Sequence, residues 1–420
     1  MKPQILTTLP NYTAQGFFSD VVAGVTVAMV AIPLSIAIAI ASGAAPATGL
    51  VTAIVAGFLI SLLGGSRVQI GGPTGAFIVV VYGVIAEHGF DGLLLATLMA
   101  GGLLVIAALL RAGRLVAYIP EPVINGFTVG IAIIIGTSQL KDLFGIDSQT
   151  LPADFIAKIE VLWAARATAD WSSLALGVFT IAAATILRRA FPRFPGLILA
   201  VAAASALVPV LGLHADTIQS RFGGISAALP APSLPDASLP RIIELIPSAL
   251  VIAFLAAVES LLSAIVADRM IGGRHRPDAE LLAQGTANMA SALFGGLPAT
   301  GAIARTATNV RAGGRTPVAG MVHAVTVLVI VLAAGPLAGY LAMPSLAGLL
   351  VLTAWNMSEP HRFLENMGTR ASDRFLFLLT MSLTVLADLT VAIAVGVAVG
   401  LALRTERKNI PPSDWTPPER

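Results

Sequence analysis

The sequence predicts an all-α polytopic membrane protein with fourteen transmembrane segments, arranged as two inverted repeats of seven. Of its 420 residues, 56% are hydrophobic and only 11% are charged, and the mean hydropathy is +0.87. A soluble domain carries about 25% charged residues. Apolar runs recur along the chain, and a spanning helix needs roughly 20 such residues. Two shorter runs, each interrupted by Gly and Pro, resemble each other. Each is the third segment of its half of the chain, an arrangement found in many transporters.

The fourteen segments follow the apolar runs in order. We predict them at residues 20–40, 47–63, 73–86, 92–110, 122–139, 172–189, 195–212, 246–268, 279–294, 304–312, 316–335, 342–356, 372–386 and 388–404. Segments three and ten are half-helices, because 14 residues rise only about 21 Å and the hydrocarbon core is about 30 Å thick. Short extended strands precede both, and they must lie inside the protein because lipid does not satisfy exposed backbone.

The basic residues support this topology through the positive-inside rule. With the N-terminus inside, 18 Lys and Arg residues fall on the inner side and 5 on the outer side, while Arg67 and Arg305 lie in the broken segments. Both termini are therefore predicted to be cytoplasmic. A repeat with an odd number of spans must invert, so residues 1–212 and 213–420 are the two inverted repeats.

The paired half-helices predict an anion site near the middle of the membrane. Two converging helix N-termini offer unpaired N–H donors and about half a positive charge each. Arg305 opens the second half-helix and adds a fixed cation that can donate two hydrogen bonds to an oxyanion. The alternative role for Arg305 is structural, with its guanidinium bonded to carbonyls of the broken backbone. Glycines that would let a ligand approach the backbone are Gly71, Gly72, Gly75, Gly295, Gly296 and Gly301.

Glu259 lies inside the apolar run 246–266 and is the candidate for coupling-ion binding. A carboxylate at a helix centre costs about 2.5–3.5 kcal/mol on insertion scales, so it is expected to serve function. It is interpreted as a proton carrier or, with Ser263 on the same helix face, as part of a Na⁺ site. The alternatives are a neutral Glu bonded to backbone and an ion-pair partner for Arg305. His323 is interpreted as a packed histidine.

Composition excludes other classes of function. The chain has no cysteine, and its five histidines are scattered without a nucleophile–base pair on one helix face. An enzyme, a metal site and a cofactor other than a coupling H⁺ or Na⁺ are therefore not expected. Basic residues are spread over separate loops, which argues against nucleic-acid binding. The expected partners are a small anion and the lipid bilayer, with a homodimer as an option.

Three runs resemble motifs of the SulP (sulfate permease) family of anion transporters, namely Pro73-Thr74-Gly75-Ala76, residues 300–309 and residues 313–320. The resemblance implies a core domain (about 17–115 and 246–335) that moves as an elevator against a gate domain (about 120–212 and 342–405). It implies that Thr74, Gly75, Ala76 and Phe77 line one side of the anion. The other side would be lined by Ala302, Ile303, Ala304 and Arg305, beside Gly301. Glu259 matches a position where relatives carry an acidic residue in span 8, and Ser263 matches a neighbouring hydroxyl that the bicarbonate branch uses for Na⁺.

Two departures from the family pattern qualify these expectations. Many members carry Ser where this chain has Ala304, which weakens an inference to sulfate. Members usually end in a cytoplasmic STAS domain, and none is expected here.

The predicted function is secondary active transport of a small anion (bicarbonate, sulfate, chloride or dicarboxylate) across the inner (plasma) membrane. The mechanism would be H⁺- or Na⁺-coupled symport, or exchange (antiport). Two alternatives remain open. A nucleobase transporter of similar fold would prefer polar side chains to Arg305, and a passive anion channel would not need Glu259.

Overall fold

A computed structural model describes residues 2–113, 120–148, 151–191, 195–226, 228–361, 363, 370–387 and 389–405. The helices of the first half are α1 (Ile5–Thr8), α2 (Ala14–Ala41), α3 (Pro46–Leu63), α4 (Phe77–Leu109), α5 (Glu121–Leu143), α6 (Phe155–Ala164), α7 (Trp171–Ala190), α8 (Gly196–Leu211) and α9 (Ile218–Phe222). Those of the second half are α10 (Leu239–Ile271), α11 (Pro277–Leu293), α12 (Ile303–Arg311), α13 (Pro317–Ala334), α14 (Met343–Ser358), α15 (Ala371–Leu386) and α16 (Leu389–Thr405). The strands β1 (Gly71–Gly72) and β2 (Thr300–Gly301) pair antiparallel.

Seven helices in the described part of the chain are long and apolar enough to cross a membrane, judged by length and composition. They are α2, α3, α4, α5, α7, α10 and α13 with the short 3₁₀ turn that follows it. The helix α4 runs through predicted segments three and four and is broken at Gly89, whose φ of 70° and ψ of 176° are not helical. The predicted count of fourteen spans stays a prediction.

The predicted start of segment three, at Pro73, is wrong. Residues 71 and 72 are held extended by pairing with β2, so the chain must turn before a helix can begin. The N–H of Phe77 donates to the Thr74 carbonyl at 3.2 Å, and that of Ile78 donates to the Gly75 carbonyl at 3.0 Å. Residues 73–76 therefore form a turn, and α4 begins at Phe77.

Some residues used in the topology prediction lie outside the described part of the chain. Residue 388, where predicted segment fourteen begins, is one of them. The others are basic residues counted on the inner side, namely Arg114, Arg193, Arg362, Arg407, Lys408 and Arg420.

The helices pack in two sets. In one set α4 packs on α10 and α11, α13 packs on α2 and α3, and α12 packs on α10 and α2. In the other set α5 packs on α14 and α15, α7 packs on α8 and α14, and α15 packs on α16. The interpretation of these sets as a core that moves against a gate stays a prediction.

Small residues bring the longest helices of the first set into close contact. A Cβ added to Gly101 of α4 would lie 2.7 Å from the Gly285 carbonyl oxygen of α11, and the reverse distance is also 2.7 Å. Because lipid tails are as apolar as Leu, membrane helices associate largely through such close backbone packing. The crossing of α4 and α11 therefore depends on residues without side chains.

A fully buried carboxylate in α2 holds the loop between α12 and α13. Asp20 accepts hydrogen bonds from the N–H of Arg315 at 2.8 Å and the N–H of Thr316 at 3.3 Å. The hydroxyl groups of Thr316 and Tyr12 also donate to it. Partial burial and the neighbouring Asp20 carboxylate raise the pKa of Tyr12 to about 12. The family-like run 313–320 is thus fixed to the N-terminal end of α2.

A second buried carboxylate holds the loop that leads into β1. Glu280 of α11 accepts hydrogen bonds from the N–H groups of Gly65 and Ser66 at 2.9 and 3.2 Å. Its other oxygen accepts from the Gln284 amide at 2.8 Å. The loop before β1 and the loop after α12 are therefore both anchored by carboxylates that accept backbone hydrogen bonds.

We expect Asp20→Ala to destabilise the protein by about 3 kcal/mol or more, because hydrogen bonds to a charged group contribute about 1.5–3 kcal/mol each and their donors would stay buried. Thermal unfolding of the purified protein in detergent measures this. Glu160→Ala is the matched control, because Glu160 is an exposed carboxylate on α6. Equal melting temperatures for the two variants would contradict the anchoring role of Asp20.

Candidate anion-binding site

The two strands join the starts of α4 and α12. Gly71 lies opposite Gly301, and Gly72 lies opposite Thr300. The N–H of Ala302 extends the pairing by donating to the Ile70 carbonyl at 2.8 Å. Each strand is followed by the start of a helix, so the ladder holds these two starts side by side.

The start of α12 presents backbone donors. The N–H of Thr306 is the first to bond back along the chain, to the Ala302 carbonyl at 2.9 Å. Within the part of the chain that the structure describes, the N–H groups of Ile303, Ala304 and Arg305 have no backbone partner. Ile303 and Ala304 are exposed. These groups form the positive end of a helix dipole, where an anion is favoured.

The Arg305 side chain is buried between the helix starts, with an exposed fraction of only 1%. Its Nη2 donates to the Ser35 hydroxyl of α2 at 3.1 Å. A Cβ added to Gly72 would lie 2.3 Å from Nη1, so the guanidinium rests against β1. Nε and Nη1 have no hydrogen-bond partner among the described residues. The alternative in which Arg305 bonds backbone carbonyls is not what this geometry shows.

Glu259 is half-buried on α10 and reaches the start of α4. The Thr74 hydroxyl donates to its Oε2 at 2.9 Å. No ion pair joins it to Arg305 in the described structure. The contact links the candidate coupling residue to the turn that precedes α4.

Ser263 lies one helical turn from Glu259 and reaches the other half of the site. Its hydroxyl is 3.3 Å from the Thr306 hydroxyl oxygen, which accepts the Ile70 N–H at 3.1 Å. One face of α10 therefore supports both helix starts. The structure joins Glu259 and Ser263 to different partners rather than to each other.

Two residues that sequence analysis missed hold β2 in place. The Ser260 hydroxyl accepts the Gly301 N–H at 3.1 Å and lies 2.7 Å from the Thr300 hydroxyl. The Asn288 amide of α11 accepts the Ala299 N–H at 2.8 Å and donates to the Ala299 carbonyl at 2.9 Å. Both are polar residues within apolar helices, and buried polar side chains need hydrogen-bond partners. That pattern in the sequence could have identified them.

The start of α4 meets the second helix set at Gly75. Gly75, Ala76 and Phe77 are buried. A Cβ added to Gly75 would lie 3.1 Å from Met357 Sδ of α14 and 3.7 Å from Ile135 Cδ1 of α5. The start of α4 is thus in contact with both helix sets.

Gly295 and Gly296 have a local role in the turn after α11. Gly295 has a φ of 70°. A Cβ on Gly296 would lie 2.4 Å from the Ser291 hydroxyl and 2.9 Å from the Thr52 hydroxyl. The described residues contain no group of three or more metal-ligating side chains.

The chain matches the model of the sulfate permease family over residues 17–380. The chain belongs to the sulfate permease family. The predicted resemblance is confirmed, and the fold is that of a membrane transporter rather than an enzyme.

Two curated relatives illustrate the likeness of this family member. A putative sulfate transporter, YvdB of Bacillus subtilis, is 41% identical over 385 residues, which cover 91% of this chain and 73% of the relative. The bicarbonate transporter BicA of a Picosynechococcus species is 32% identical over 92% of this chain and 70% of that protein.

A solved structure confirms the predicted all-α membrane fold. The transmembrane domain of a cyanobacterial bicarbonate transporter, BicA, superimposes with a TM-score of 0.81 at 29% identity. The match covers 92% of this chain and 98% of that one. The roles of the individual site residues stay predictions.

We expect Gly72→Ala to weaken anion binding about tenfold, since a Cβ there would displace the Arg305 guanidinium and strain a backbone with a φ of 151° by about 1–3 kcal/mol. Isothermal titration of the purified protein with the transported anion measures the change. Gly83→Ala on α4 is the control, because a Cβ there meets nothing within 4 Å. Unchanged affinity in Gly72→Ala would contradict the placement of the site.

Proposed function

We propose that this family member is a secondary active transporter of a small oxyanion, which binds between the starts of α4 and α12. One observation carries the proposal: Arg305 is 1% exposed, yet two of its N–H-bearing nitrogens have no partner among the described residues. A buried cation without a counter-charge is costly. An anion at this position would supply both the charge and the acceptors.

The geometry gives the anion two kinds of donor. The N–H groups of Ile303 and Ala304 lie at the positive end of the α12 dipole. The guanidinium of Arg305 lies against β1. Charge-assisted hydrogen bonds from a guanidinium to an oxyanion are about twice as strong as neutral ones. This combination favours oxyanions over neutral nucleobases.

Sulfate and bicarbonate are the first substrates to test. One relative is named as a putative sulfate transporter and another as a bicarbonate transporter. Ala304 offers no side-chain hydroxyl at the start of α12. Backbone N–H groups and one guanidinium provide fewer donors than a dianion could accept, which favours bicarbonate.

Glu259 is the proposed coupling residue, binding H⁺ or Na⁺. Its carboxylate accepts the Thr74 hydroxyl hydrogen bond, and Thr74 belongs to the turn that precedes α4. Protonation or cation binding at Glu259 would change this contact beside the anion. The coupling would thus act through one hydrogen bond between α10 and the α4 turn.

The proposed transport movement is an elevator displacement of the first helix set against the second. The site is built from α4, α10, α12 and α2 of the first set, and it contacts α5 and α14 through the start of α4 and through α2. The site could therefore travel with its own helices. Both termini would lie on the cytoplasmic side of the plasma membrane.

We expect Arg305→Ala to reduce anion affinity and uptake roughly 10- to 100-fold, because one or two charged hydrogen bonds of about 1.5–3 kcal/mol are lost. Uptake of labelled bicarbonate and sulfate into proteoliposomes, with competition by unlabelled anions, measures this. Arg311→Ala is the matched control at the exposed far end of the same helix.

Wild-type uptake by Arg305→Ala would exclude the proposed anion contact. Loss of uptake in both arginine variants would instead indicate a general effect of positive charge on α12. A loss confined to Arg305→Ala, at an unchanged melting temperature, is the expected result.

We expect Glu259→Gln to abolish gradient-driven accumulation while anion binding stays measurable, since the amide cannot carry a proton or neutralise Na⁺. Proteoliposome uptake with an imposed H⁺ gradient and, separately, an imposed Na⁺ gradient measures this. Glu244→Gln is the control, because Glu244 lies on the same helix but is exposed and pairs with His88 at 3.2 Å. Accumulation that persists in Glu259→Gln would refute the coupling role, and wild-type flux that ignores both gradients would favour a passive channel.

A further inference from the structure

A cavity of about 400 Å³ lies at the ends of α10 and α12 that point away from the anion site. Its lining includes Arg67, Arg315, Met270, Ile271 and Val310. Met270 and Ile271 end α10, and Val310 lies in the last turn of α12. Arg67 belongs to the loop before β1, and Arg315 to the loop before α13.

The cavity does not lie on the boundary between the two helix sets. Its lining comes from α10, α12 and the loops beside β1 and α13, and none of it comes from α5, α14 or α15. The proposed anion path, where the start of α4 meets α5 and α14, is therefore a different place. A ligand in this cavity would contact the elements that carry the site without occupying the site.

Both arginine side chains are exposed, and within the described residues neither guanidinium forms an ion pair with a carboxylate. Asp268, in the last turns of α10, is already engaged, because it accepts the N–H of His275 and contacts its Nδ1, both at 2.7 Å. The cavity therefore combines two available guanidinium groups with apolar side chains.

The backbone that carries the two arginines is fixed. The N–H of Arg315 donates to the fully buried Asp20 at 2.8 Å. The N–H of Ser66, next to Arg67, donates to the fully buried Glu280 at 3.2 Å. The Gly314 N–H donates to the Asn309 carbonyl at 2.9 Å, which closes the loop onto α12. Two cations on anchored loops make a preorganised site, since less freedom is lost when a ligand binds.

We propose that this cavity binds the phosphate group of an anionic phospholipid or of a small phosphate compound. Guanidinium groups match phosphate oxygens with paired hydrogen bonds. The apolar lining from Met270, Ile271 and Val310 suits the glycerol and upper acyl carbons next to a lipid phosphate. Basic pockets between membrane helices on the cytoplasmic side bind anionic headgroups in this way.

Phosphate binding here would join three elements of the transport site. Arg67 lies four residues before β1, Met270 lies on the helix of Glu259, and Val310 lies on the helix of Arg305. An occupied cavity would hold these elements in one arrangement and raise the thermal stability of the protein. This inference concerns binding alone, so it stands or falls independently of the transported anion.

The test is thermal unfolding of delipidated full-length protein in neutral detergent. One arm adds phosphatidylglycerol against phosphatidylcholine, and another adds glycerol 3-phosphate against glycerol. Every arm is run at a saturating concentration of bicarbonate and without sulfate, which would compete with phosphate, so that the Arg305 site is occupied throughout. We expect a rise of several degrees in melting temperature from phosphatidylglycerol, and at least about tenfold weaker half-saturation in Arg67→Gln/Arg315→Gln.

Arg374→Gln is the matched control, since Arg374 is exposed in the first turn of α15 and does not line the cavity. Each single variant is measured as well, in case the double variant is unstable. Stabilisation by phosphatidylglycerol alone identifies a lipid ligand, and stabilisation by glycerol 3-phosphate also identifies a soluble one. No stabilisation by either compound, or equal half-saturation in the wild type and the arginine variants, would overturn the proposal.

Discussion

The pairing of Gly71–Gly72 with Thr300–Gly301 is the contact on which the rest of the site depends. It contains only two residues from each strand, and it joins parts of the chain more than 200 residues apart. Backbone groups inside a membrane must find partners within the protein. So short a ladder leaves backbone groups that need further hydrogen-bond partners. The side chains of Ser260 and Asn288 bond the backbone of residues 299–301. These hydrogen bonds hold the two helix starts in place.

The buried charges divide into two kinds. Asp20 and Glu280 are fully buried, yet each accepts two backbone N–H bonds and at least one from a side chain. Arg305 is just as buried, and among the described residues its side chain has one hydrogen bond, to a neutral hydroxyl. A buried charged group that accepts hydrogen bonds from the backbone stabilises one backbone conformation. A buried charged group that lacks hydrogen-bond partners destabilises the protein, and its presence indicates function. The same physical rule separates the structural carboxylates from the candidate binding residue.

The candidate anion site and the cavity lined by Arg67 and Arg315 share one scaffold. The short helix α12 presents its N–H groups and Arg305 at one end, and its last turn lines the cavity at the other. The loops on either side of the cavity are anchored by Asp20 and Glu280. The nine residues of α12 and the strand pair connect the two places.

The sequence by itself determined the membrane class, the two broken segments, and Arg305 and Glu259 as candidate residues. Low charge, short apolar runs and ionisable groups in apolar surroundings are local features, and local features can be read from one chain. Only the tertiary structure decided that residues 73–76 form a turn, that Glu259 bonds Thr74, and that Ser263 contacts Thr306. It also revealed Ser260 and Asn288 as partners of the broken backbone, and Asp20 as the partner of the loop after α12. These choices depend on contacts between residues up to nearly 300 positions apart, and no local pattern specifies which of many buried polar groups will meet.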